Sequence, residues 1–112
     1  METLNFSYNW NKKLDCNFFT TLRLSNRFQV GEIVEVRLKK ERRNNSQIVS
    51  KKCFYIEQLD EFTAALDTGY NRADTIDILR RMYKDVDWST QKVFCYLVKV
   101  LGKEKSTIPE LF

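Results

Sequence analysis

The chain contains no histidine, so imidazole metal ligands and imidazole general bases are excluded from any chemistry it performs. Three glycines and one proline in 112 residues leave few breaks, which predicts a compact unit with no linker, repeat or low-complexity tract. The three cysteines, Cys16, Cys53 and Cys95, are an odd number with no close spacing, giving neither a disulfide framework nor a zinc site. Each stands near an aromatic residue (Phe18, Phe54, Phe94), the setting expected of a small buried hydrophobe in a reducing compartment. No apolar run reaches bilayer length, and Met1-Glu2-Thr3-Leu4-Asn5 lacks the basic and apolar regions of a secretion signal. A cytoplasmic protein with no membrane partner, no metal and no cofactor is therefore expected.

What is present suffices for a core without staples: 43% of the residues are hydrophobic and 13% of the chain is aromatic, in a chain of one-domain length. The net charge is +4, but it is unevenly spread. Between Val36 and Lys52, Arg37, Lys39, Lys40, Arg42, Arg43, Lys51 and Lys52 stand against Glu41 alone. Such a stretch is an electrostatic footprint for a polyanion, which makes Lys39, Lys40, Arg42, Arg43, Lys51 and Lys52 candidate phosphate contacts. A protruding hairpin also carries Lys and Arg simply to stay soluble and to blunt strand pairing.

Alternation of apolar and polar residues predicts a strand over Leu4 to Trp10 and a second over Cys16 to Leu24, joined through Asn11-Lys12-Lys13. Ser25-Asn26-Arg27 and Gly31, a glycine suited to a tight approach or a positive φ, lead into a third strand from Ile33. Arg43-Asn44-Asn45-Ser46 reads as a hairpin turn by composition, with Gln47 to Ile56 returning as its partner. Leu59, Phe62, Ala65 and Leu66 then fall at helical spacing, followed by turn chemistry at Asp67 to Asn71. Asn71 is a good N-cap with Asp74 three residues on, opening a second helix whose apolar face is Ala73, Ile76, Leu79, Met82 and Tyr83. Val93 to Leu101 is the most β-prone stretch and predicts a central strand. The organisation is a single α+β domain over 1–101, a curved or closed sheet with two short helices packed against it, and a tail over 102–112 containing Pro109.

Thr21-Leu22-Arg23 on an early strand, Phe28-Gln29-Val30-Gly31-Glu32 before the next, a helix ending near Tyr83 and the final Phe94-Cys95-Tyr96-Leu97-Val98 strand together resemble the ASCH domain family of the PUA-like superfamily. The resemblance covers roughly Leu14 to Leu101. It implies a small PUA-like β-barrel and a partner drawn from RNA, modified nucleosides or bases. In family members that resemble amidohydrolases of acetylated cytidine, the strand reads Lys-Thr-x-Thr-x-Arg, and the lysine, the second threonine and a distant glutamate form the catalytic set. Aligned on Arg23, the second threonine is Thr21, while the lysine and first threonine positions are Phe18 and Phe19. Where the glutamate would lie, Thr68 is the ungapped match and Asp67 the nearest acid. Lys12 or Lys13 fills the vacancy only if Asp15-Cys16-Asn17 bulges toward the pocket.

Thr20 and Thr21 are adjacent on a strand and face opposite sides, so Thr21 is the hydroxyl that shares a face with Arg23. An arginine beside a hydroxyl holds a phosphate or a base edge bidentately. Asp67 and Tyr70 lie in the loop between the helices, where Tyr70 either stacks on a base or anchors the loop. Trp10 and Trp88 are stacking platforms or packing residues. Two phenylalanines in place of a lysine and a threonine make the site more apolar and disfavour catalysis. The expected function is a nucleic-acid module, RNA ahead of DNA, or a free-nucleoside module, that binds ligand through Thr21, Arg23, Asp67 and Tyr70, with no catalytic residue assigned. The alternatives are an amidohydrolase-like enzyme on a modified nucleoside and a protein-interaction or dimerisation module.

Overall fold

The computed structural model describes residues 1–102, and most of the segment expected as a tail, with Pro109, lies outside the described residues. Five strands form one mixed sheet: β1 (Glu2–Phe6), β2 (Phe18–Arg23), β3 (Ile33–Leu38), β4 (Glu41–Tyr55) and β5 (Lys92–Val100). The spatial order is β1-β3-β4-β5-β2, with β1 parallel to β3 and every other pair antiparallel. The sheet is not closed by strand pairing, since β1 and β2 are its two edges. Side chains bridge that seam: the Arg23 guanidinium of β2 donates from Nη2 to the Asn5 carbonyl of β1 at 2.8 Å. Two helices, α1 (Glu61–Thr68) and α2 (Arg72–Met82), and a 3-10 segment over Trp10–Asp15 pack on this sheet.

The period of two sorts the side chains into two apolar clusters. Phe19, Val34, Val36, Ile48, Tyr96, Val98 and Val100 join Leu4, Leu14 and Phe28 on the concave side. Leu22, Val93 and Cys95 meet Ile56, Leu59, Ala64 and Leu79 beneath the helices. The Tyr96 hydroxyl donates to the Ser25 carbonyl at 2.7 Å, fixing the loop that follows β2.

The hairpin turn differs from its expected place. The chain reverses at Lys39-Lys40, both with left-handed φ (52° and 71°), and Leu38 pairs with Glu41 across a two-residue loop. Asn44, Asn45 and Ser46, the expected turn, instead pair in β4 with Val36, Glu35 and Val34. This register keeps Ser46 and Ile48 on the buried face that Val34 and Val36 require, which turn composition alone does not capture. β1 also stops at Phe6 instead of Trp10, because Asn9 accepts the Leu14 N–H through Oδ1 and starts the 3-10 segment.

Helix α1 turns a different face inward from the one its apolar spacing suggests. Phe62 and Leu66 are 75% and 50% exposed, whereas Thr63, Ala64, Asp67 and Thr68 are buried. The polar groups on that inner face all find partners, which is what permits it. Thr68 donates to the Ala64 carbonyl at 3.0 Å and shares a 2.7 Å hydrogen bond with Thr75 of α2. Asp60 caps α1 by accepting from Thr63 N, and Asn71 caps α2 by accepting from Asp74 N, as its spacing predicts. On α2, Leu79 is buried and Ile76 and Tyr83 are half-buried, but Ala73 and Met82 are exposed and Thr75 takes the inner position.

Candidate functional site

Alternation along β2 places Phe19, Thr21 and Arg23 on the concave face and Phe18, Thr20 and Leu22 on the other. Arg23 Nε donates to Thr21 Oγ1 at 2.9 Å, so the hydroxyl and guanidinium form the expected pair. Neither phenylalanine makes the site apolar: Phe18 is half exposed on the opposite face, and Phe19 is buried in the concave core. Phe6 of β1 is the aromatic floor instead, with the Arg23 guanidinium 4.7 Å and Lys13 Nζ 5.5 Å from its ring centroid.

Lys13 enters this pocket, and β2 residue spacing does not foretell it. Asn11 and Lys12 both adopt left-handed φ (57° and 53°), which leaves Lys12 exposed and turns Lys13 inward. The turn needed to bring the amine in is thus the 3-10 segment before Asp15, not a bulge of Asp15-Cys16-Asn17. Its partner helix end is shaped to match: Gly69 caps α1 at φ +81°, and a Cβ there would come within 2.9 Å of Asn11 Cγ. Asn11 Nδ2 in turn donates to the Ala65 carbonyl at 3.4 Å. The local signal in the sequence is Asn11 followed by two lysines, of which only the second precedes a core leucine, Leu14.

Inside the pocket Lys13 Nζ lies 2.9 Å from Asp67 Oδ1, both side chains buried. Thr20 Oγ1 donates to the same carboxylate oxygen at 3.1 Å from across β2. Asp67 is therefore the acid that meets the lysine, while Thr68 is consumed in holding α1 to α2. Burial pushes Lys13 below its ordinary value, an effect that Asp67 opposes by charge and by hydrogen bond. Burial likewise lowers Arg23, with Tyr83 and Asp67 pulling the other way; a guanidinium remains charged through such a shift. Two cations thus share the pocket with one carboxylate. Its interior measures about 80 Å³ and opens between Ser7, Tyr8 and Trp10 on one side and the end of α2 at Met82 and Tyr83 on the other.

The remaining candidates are dispersed. Tyr70 is half exposed and packs edge-on against Trp10 at 6.3 Å. Lys39 and Lys40 form the hairpin tip beside Asn5, Phe6 and Ser7, which also line the pocket, so this end of the basic stretch borders the site. Arg43 pairs with Asp15, and Arg42 donates to Asn45. Lys51 and Lys52 lie farther along β4, paired with Tyr96 and Cys95 of β5, and point to opposite faces. Lys51 is tied to Asn26 Oδ1 at 2.6 Å, while Lys52 sits near Phe62 and Leu97. Trp88 packs on the cluster beneath the helices. Of the cysteines only Cys95 is buried; Cys16 and Cys53 are exposed, because neither falls on an inward position of its segment. Among the described residues no cluster of His, Cys, Asp or Glu could hold a metal ion, and no helix is long and apolar enough to cross a membrane.

Comparison of the chain with models of protein families, with curated proteins and with solved structures finds no match.

Proposed function

We propose that this chain is an ASCH-type domain of PUA-like architecture, a small barrel left open at the β1/β2 seam, and that it binds a nucleobase or related nucleotide group. The observation that carries the reading is the convergence of Lys13, Thr21, Arg23 and Asp67, from three separate elements, on one pocket. Arg23 and Thr21 supply donors and an acceptor for a base edge or phosphate oxygen, and the Lys39-Lys40 tip adds positive potential at the rim for a single-stranded polyanion. An anisotropy titration with single-stranded RNA over a range of salt tests this reading against an Arg23→Ala variant. Binding that weakens with salt and falls in the variant supports it; equal and negligible binding by both ends it.

A second reading, amide hydrolysis on an acylated nucleoside, is favoured by one specific observation. An amine does reach the pocket that holds Thr21, and a carboxylate sits 2.9 Å from it. In that chemistry the Thr21 oxygen attacks the acyl carbon while its proton passes to Lys13 in the amine form; the nucleoside amine leaves with a proton, and water then cleaves the acyl ester. Lowering of the Lys13 value by burial works toward the amine form, and the Asp67 contact works against it. Acetate release from N4-acetylcytidine, lost in a Lys13→Met variant that circular dichroism shows to be folded, supports hydrolysis; an unchanged amide in the presence of folded protein returns the site to binding alone.

A further inference from the structure

We infer that Tyr8, Trp10 and Tyr70 form an aromatic rim on which the flat ring of a nucleobase stacks while only its edge or exocyclic substituent enters the Lys13/Thr21/Arg23/Asp67 pocket. The inference rests on the binding reading above and specifies the ligand's chemistry and pose. Tyr8 and Trp10 have ring centroids 4.6 Å apart at an interplanar angle of 61°, and Trp10 and Tyr70 continue the row at 6.3 Å and 75°. Tyr8 is 55% and Tyr70 50% exposed, so aromatic surface is left in water beside the mouth of the pocket. Tyr8 and Trp10 themselves line that pocket.

Two further facts argue for a ring at the mouth. The interior of about 80 Å³ is far smaller than the about 300–1,000 Å³ of sites that enclose a drug-sized ligand, so a whole nucleoside does not fit inside. The backbone also sustains consecutive left-handed residues at Asn11 and Lys12, and this one kink holds Trp10 on the rim and Lys13 inside. A cationic interior next to a π surface suits a group that is planar, polar at one edge and rich in carbonyl or ring-nitrogen acceptors. A base stacked within a duplex cannot present its edge and both faces to such a site, so the ligand is a free nucleoside or an unpaired base of a single strand.

Isothermal titration calorimetry tests the pose with cytidine, N4-acetylcytidine, a single-stranded RNA, the same RNA in duplex form, and ribose 5-phosphate as a control without a ring. The expected result is binding of the nucleosides or the single strand by the native chain, weakened about 10- to 100-fold by Trp10→Ala and restored to within a few-fold by Trp10→Phe. Ribose 5-phosphate affinity should not respond to either variant. Nucleoside binding without single-strand binding, or the reverse, separates the two sources of the base. Circular dichroism establishes that each variant is folded; if Trp10→Ala is not, Tyr8→Ala, at a more exposed ring, carries the same expectation. Unchanged affinity in a folded rim variant overturns the inference and leaves the binding reading standing. Ribose 5-phosphate binding as tightly as the nucleosides overturns it as well. No binding of any probe by the native chain overturns both.

Discussion

Lys13 and Asp67 are the residues on which the site depends, and their burial makes them sensitive to single changes. Removing one partner of a buried ion pair leaves an uncompensated charge, so Lys13→Met should destabilise the fold by about 3–5 kcal/mol. Replacing both, as in Lys13→Met with Asp67→Leu, should recover most of that loss in a urea-denaturation cycle, because two apolar groups of similar volume need no solvation. The lysine also carries a pH signature. Its folded value lies below the ordinary 10.5, so its contribution to stability is fully present above pH 10.5 and is lost as pH falls through the folded value. Cys95 works in the opposite direction. Burial, reinforced by Asp67, raises its thiol from 9.0 to about 11, so its contribution is present below pH 9 and is lost as pH rises through about 11. Between those limits the native chain should lose about 2 kcal/mol more than a Cys95→Ala variant, read as the difference of two pH-stability profiles. A thiol-reactive chromophore should meanwhile titrate only Cys16 and Cys53 in the native state, with Cys95 reacting after denaturation.

At the scale of elements, the Lys39-Lys40 tip combines a conformational cost with a position beside the pocket. Both residues hold left-handed φ, which costs an L residue with a Cβ roughly 1–2 kcal/mol each. Replacing the pair by Asn-Gly, which suits a two-residue hairpin, should raise stability by about 1–2 kcal/mol in thermal or denaturant unfolding. If the tip steers a polyanion, the same variant should bind single-stranded RNA more weakly, with a salt slope reduced by roughly one to two. The strands themselves were legible in the sequence, because alternation at Phe18 to Arg23 and Ile33 to Leu38 reports burial directly and Val93 to Leu101 is rich in β-formers. The hairpin tip was not, since Asn44-Asn45-Ser46 carries turn composition while register is set by the buried pair Val34 and Val36 across β4. The inner face of α1 was also hidden. Its apolar spacing points through Phe62 and Leu66 to solvent, whereas its buried face is polar and is stabilised by contacts 47 to 54 residues distant in sequence, from Thr20 and Lys13. Asn71 was readable because a cap is a local device.

For the molecule as a whole, the sheet supplies one wall of the pocket and the 3-10 segment, α1 and α2 supply the others. Thr21 and Arg23 could be read from strand periodicity alone, because both lie within one short element. Lys13 could not, since its place depends on two left-handed residues and on the close approach of Asn11 to Gly69, which no periodicity encodes. The basic stretch is split by the fold, with its tip bordering the pocket, Lys51 tied to Asn26 and Lys52 on the opposite sheet face, so uniform coating of a polyanion by all six candidates is not expected. Ligand contacts should therefore concentrate where β1, the 3-10 segment, β2 and the α1/α2 junction meet. The most direct measurement is a two-dimensional amide NMR titration with cytidine or N4-acetylcytidine at up to millimolar concentration. Shift changes clustered at residues 5–13, 20–23 and 67–70, and abolished by Arg23→Ala, are the predicted result. Changes confined to the exposed side of α1 or to the Lys51-Lys52 end of β4, or no changes at all, would contradict it.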